Sequence, residues 1–100
     1  MASDLKEALK RSRLERSVIV GDWRVIRNGF WDDPPDTYRL YRRSGAGWHR
    51  VLTVVVGSRK EADLSGARPE DLEAVRQALA FWGIPGEVRV QEGKLALSGG

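Results

Sequence analysis

His49 is the one histidine of the chain, set between Trp48 and Arg50 in a run that alternates like a strand. Acid–base chemistry near neutral pH would fall to this residue first. It would need a nucleophile within hydrogen-bond reach and a third group to orient its ring, and no Ser-His-Asp spacing offers either. The absence of cysteine removes thiolate nucleophiles, thiolate zinc sites and disulfides. Asp32, Asp33 and Asp36 would offer oxygens to a hard cation, but their loop lacks the ligand ladder and turn glycine of an EF-hand, and Pro34-Pro35 stiffen it. A solvated acidic loop is expected there. Gly45-Ala46-Gly47-Trp48-His49-Arg50 opens like a phosphate-binding glycine loop but ends in arginine. It joins two strands, so a phosphate would find no helix N-terminus behind it. No catalytic, metal or cofactor site is expected, and the chain reads as a non-enzymatic binding module.

One pattern points to a partner. Arg39, Tyr41, Arg43, Trp48 and His49, with Arg59 and Lys60 at the far end of the same hairpin, combine phosphate-pairing donors with rings on which bases stack. Nucleic acid is the partner this combination suits. The alternative is a protein partner or a second copy of the chain, because a half-exposed strand also favours Thr, Tyr and Arg for β-propensity and solubility. Trp31 and Trp48 lie beside loops, where aromatic side chains serve as interface anchors.

Charge supports a basic surface in the first part of the chain. Residues 1–60 carry 13 basic and 7 acidic side chains, and residues 61–100 carry 4 and 7. Arginine outnumbers lysine 13 to 4, which suits phosphate and carboxylate recognition but also follows from G+C-rich coding. One Asn, two Gln and a single Met fit a thermophilic or stress-tolerant source.

These residues must be positioned by an α+β domain, expected to span 1–97 with 98–100 frayed. Ser3 is placed to cap a helix whose apolar face is Leu5, Ala8 and Leu9. Ser17 to Arg27 reads as one strand with a bulge or kink at Gly21-Asp22. Asn28-Gly29 reads as a tight hairpin turn, with Phe30-Trp31 opening the return strand. Thr37–Arg43 and His49–Val56 alternate around Gly45-Ala46-Gly47. That register sets Leu40 opposite Leu52, Tyr38 opposite Val54 and Arg42 opposite Arg50. Tyr38, Leu40, Leu52, Val54 and Val56 then share one face. Thr37, Arg39, Tyr41, Arg43, His49, Val51 and Thr53 share the other.

Residues 57–68 read as a polar connection. Pro69 opens a second helix with the stripe Leu72, Val75, Leu79 and Trp82, ended by Gly83. Val88 and Val90 face Leu97 and Leu95 across Glu92-Gly93 in a last hairpin. The expected architecture is α-β-β-β-α-β-β, one antiparallel sheet with both helices on one face. The other face is left bare.

The order α-β-β-β-α over residues 3–83 is similar to that of double-stranded-RNA-binding domains and of HicA-type toxins. Arg68-Pro69-Glu70-Asp71 stands where the former would carry a lysine cluster, and the Gly-Ser-His motif of the latter has no counterpart. The complete order looks like that of type III secretion chaperones, dimers that hold extended polypeptides, without their C-terminal helix. The likeness is one of element order and implies no shared activity. No apolar run is long enough to span a membrane, and the first residues lack the apolar stretch of a secretory signal. A cytoplasmic protein is expected.

Overall fold

The computed structural model describes residues 3–98. Helix α1 (Ser3–Arg11) is followed by strands β1 (Ser17–Val20), β2 (Trp23–Arg27), β3 (Thr37–Ser44), β4 (Gly47–Val55) and β5 (Glu61–Asp63). A 3-10 turn (Pro69–Asp71) leads into α2 (Leu72–Trp82), and β6 (Glu87–Gln91) and β7 (Lys94–Ser98) close the chain. The α+β class and the approximate element order expected from the sequence are those of the structure. The single sheet is not. β1 to β5 form a five-stranded antiparallel sheet in sequence order, and β6–β7 form a separate two-stranded sheet. The helix α1 starts at Ser3, whose side chain lies outside the described ones, as do Gly99 and Gly100 of the tail. Ser98, expected to fray, donates its hydroxyl to the Glu87 carbonyl at 3.1 Å within the last hairpin.

One row of apolar residues crosses four strands: Val18, Val25, Leu40 and Leu52 are successive cross-strand partners, all at most 2% exposed. Leu5, Ala8 and Leu9 of α1 and Val75, Ala78, Leu79 and Trp82 of α2 belong to the same core. Tyr38 meets Trp82 with ring centroids 5.1 Å apart. Each large side chain so buried contributes roughly 1.5–3 kcal/mol before chain entropy is subtracted. Gly83 ends α2 in the left-handed conformation (φ 70°), where a side chain would be strained.

Three local expectations fail for identifiable reasons. Ser17–Arg27 is a hairpin rather than one kinked strand, because Gly21 takes φ 57° at the first position of a two-residue turn between Val20 and Trp23. Asn28-Gly29 does not turn straight into a return strand. Asn28 does adopt φ 52°, but it closes a long loop instead: its N–H donates to the Thr37 carbonyl at 2.7 Å, and its Oδ1 accepts the Thr37 N–H at 3.0 Å. Phe30 and Trp31 lie inside that loop. The polar connection 57–68 contains β5, which pairs Glu61, Ala62 and Asp63 with the free edge of β4.

Candidate nucleic-acid interface

The sheet has a helix side and a helix-free side, and a β-bulge decides which residues of the β3–β4 hairpin reach each. Toward the open end the expected register holds: Tyr38 opposes Val54 and Leu40 opposes Leu52. Next, Tyr41 opposes Arg50, so Val51 is an extra residue in β4. From there to the tip, Arg42 faces His49 and Arg43 faces Trp48. The expected Arg42–Arg50 pair does not form. Val51, expected on the open face, is fully buried in the core, because a bulge displaces one residue from the alternation and kinks its strand. Thr37, also expected there, is buried at 2% with its hydroxyl on the Pro34 carbonyl.

The same bulge sends His49 to the helix side. Its Nε2 lies 3.6 Å from Asp71 Oδ2, too far for a hydrogen bond, and is enclosed without a partner. Asp71 has no exposed side-chain surface. Its Oδ1 accepts from Arg42 Nε at 2.8 Å and its Oδ2 from the Arg68 N–H at 2.9 Å. The cluster fastens the hairpin tip to the start of α2, where a carboxylate also meets the positive end of the helix dipole.

Arg39, Tyr41, Arg43 and Trp48 do share the helix-free face. Tyr41 sits in a row with Ile19, Arg24 and Arg50, so two guanidinium groups flank it from neighbouring strands. Two residues toward the tip, about 7 Å along the strand, the Arg43 guanidinium stacks 4.5 Å over the Trp48 ring. Its Nε is 3.4 Å from Asp22 Oδ1. Arg39 is already engaged. It makes a two-pronged pair with Asp33 (2.7 and 2.9 Å) and lies 4.6 Å over the Phe30 ring. Chiefly through the hydrogen bond from Arg39, the Asp33 carboxyl is held down at about 2, and the arginine is raised in turn. Trp31, 96% exposed, projects from the same loop.

Arg59 and Lys60 stand apart from this group. Arg59 is exposed beside Glu61 (3.2 Å), and Lys60 Nζ reaches the Gly83 carbonyl (3.4 Å), where a cation complements the C-terminal end of α2. Arg24 and Arg50, not among the residues singled out from the sequence, also lie on the open face. Arg24 was marked by its place between inward-facing Trp23 and Val25. Arg50 was hidden by the bulge, which moves it from the helix side to the open side, where it helps hold the Asp63 carboxyl below its usual range behind the larger effect of the Ser65 hydrogen bonds. Among the described residues no three His, Cys, Asp or Glu side chains converge as metal ligands would, and no helix is long and apolar enough to cross a membrane. Comparison of the chain with protein-family models, curated proteins and solved structures finds no match.

Proposed function

We propose that the helix-free face of the five-stranded sheet binds single-stranded nucleic acid. Tyr41 and Trp48 are the stacking rings, and Arg24, Arg43 and Arg50 pair with phosphates. The observation that carries this reading is the row in which Tyr41 lies between Arg24 and Arg50. A base stacked on the ring brings its flanking phosphates toward cations on both sides. The two rings are set about 7 Å apart along the strand, roughly twice the per-strand rise of a duplex, so the strand they fit is extended and unstacked. Arg39 contributes less than these three, because Asp33 already neutralises it.

Fluorescence anisotropy with labelled single- and double-stranded oligonucleotides at several salt concentrations tests the reading. Binding to the single strand should weaken steeply with salt. Arg24→Ala and Arg50→Ala should each flatten the log–log slope by about 0.7. Tyr41→Ala should lose roughly 1–3 kcal/mol with the slope unchanged. Lys60→Ala, on the helix side, should change neither. No binding at low salt, or slopes indifferent to both arginines, overturns the reading.

The protein-partner reading rests on a different observation. Edge strand β1 (Ser-Val-Ile-Val) carries no charge or proline to blunt it, and Ile19 is 51% exposed. Light scattering that finds a stable dimer, with the Ile19 amide protected from exchange, would favour that reading.

A further inference from the structure

On the side of the molecule away from the open face, α1 and α2 leave a groove of about 490 Å³ lined by Lys6, Leu9, Lys10, Gln77, Ala80 and Phe81. We infer that this groove docks an amphipathic helix of a partner protein whose apolar stripe is flanked by carboxylates.

The floor and one bank have different chemistry. Leu9, only 1% exposed, closes the bottom, and the short side chain of Ala80 keeps the channel open beside Phe81. Along the α1 bank, Lys6 and Lys10 are one turn apart on the same helix face. Beyond the helix end, the Arg13 guanidinium lies 4.3 Å over the Phe81 ring and extends the basic row. Arg11, by contrast, is occupied by Glu7 (3.6 Å) and Glu15 (2.8 Å). Lys6, Lys10 and Arg13 take part in none of the ion pairs among the described residues, so their charge is available to an incoming partner.

A channel between two helices is the shape that receives a third, with apolar anchors at i, i+3 or i+4, and i+7. On α1 the lining runs from Lys6 to Lys10, about 6 Å of rise, and the Arg13 contact with Phe81 carries the rim further, enough for about two turns of the occupant. Carboxylates at i and i+4 on the side facing α1 would meet Lys6 and Lys10. An anionic membrane surface fits less well, because it needs a row of protruding apolar side chains, and here Leu9 is recessed and Leu14, next to Arg13, is the one large apolar side chain exposed on α1 or directly after it. The inference does not depend on the nucleic-acid reading, since the sheet core separates the two surfaces.

The test uses two helix-stapled peptides of about 14 residues with the same leucine stripe, one flanked by glutamates and the other by lysines. Each is titrated into the isotope-labelled full chain and followed by amide chemical shifts. The acidic peptide should move the signals of Leu9, Lys10, Ala80 and Phe81, and the basic peptide should not. Lys6→Glu with Lys10→Glu, both on the surface, should weaken the acidic peptide about tenfold and make the basic one bind instead. Single-stranded oligonucleotide binding should survive that double change. Equal binding of both peptides, no shift at the groove, or binding to anionic vesicles that the two lysines control without any peptide binding would each overturn the inference.

Discussion

Arg39 and Arg42 lie three residues apart on β3, and each holds a carboxylate, but the two pairs are built in opposite ways. Arg39 reaches a partner six residues back in sequence, Asp33. Asp33 Oδ2 also accepts the Phe30 N–H at 3.0 Å, and the Arg39 guanidinium covers the Phe30 ring, so the pair staples loop 28–36 to the open face. Arg42 reaches Asp71, 29 residues ahead, and joins the hairpin to the start of α2. The first pair closes a short loop, which costs little chain entropy. The second closes a long one and commits a carboxylate with no exposed side-chain surface. Residue parity on one strand therefore determines which carboxylate each arginine meets, one from the adjacent loop and one from the start of α2.

The sharpest way to break this contrast is at Asp71. Asp71→Ala leaves the partly buried Arg42 with only the more distant Glu70 (3.9 Å), removes the acceptor of the Arg68 N–H and takes away the carboxylate 3.6 Å from His49. Removing one partner of a buried pair typically costs about 3–5 kcal/mol, and urea unfolding should show a loss of that order. A loss below about 1 kcal/mol would mean that the hairpin tip is held by packing alone. The next effect lies beside the bulge. At Gly66 an added Cβ would come within 2.9 Å of the Arg50 carbonyl, which is backbone and cannot swing aside. Gly66→Ala should cost roughly 1–3 kcal/mol. It should also shift the amide signals of Arg50 and Val51 more than those of Leu40. Equal shifts would show that loop and bulge are not coupled.

Much of the helix side was legible because its patterns are redundant. The α2 stripe repeats over three turns and Gly83 marks its end, while Pro69 opens the 3-10 turn that leads into it rather than the helix itself. What was missed depended on single residues. Across Gly21-Asp22 the inward positions change from even (Val18, Val20) to odd (Trp23, Val25), the signature of a two-residue turn. The β-branched composition of the whole stretch outweighed that change of parity. In β4, Val51 and Leu52 are both apolar, so alternation could not reveal which was the extra residue, and His49 and Arg50 were assigned the wrong faces. β5 has two charged residues of three and no pattern of its own. It exists because β4 offers an unpaired edge.

The smallest predicted effect probes the other half of the comparison through pH. Asp33 titrates at about 2 in the folded chain against an ordinary 3.8, held down first by the hydrogen bond from Arg39. The unfolded chain therefore takes up this proton first as pH falls. The stabilisation from the pair is complete above pH about 4 and disappears between about 4 and about 2. The Arg39 and Asp33 side chains are 13% and 7% exposed, so water screens the pair only in part, and its contribution is of the order of 1 kcal/mol. Glu15 and Asp63 are also held below their usual values, so the wild-type curve alone would mix several carboxylates. Comparison with Asp33→Asn isolates the one in question. The stability gap between the two proteins should be widest near pH 6 and should close toward pH 2. Over the same interval, exchange protection of the Phe30 amide should fall in the wild type. A gap that stays constant with pH would show that loop 28–36 is held by the Phe30–Arg39 stack and the Asn28–Thr37 hydrogen bonds instead of by charge.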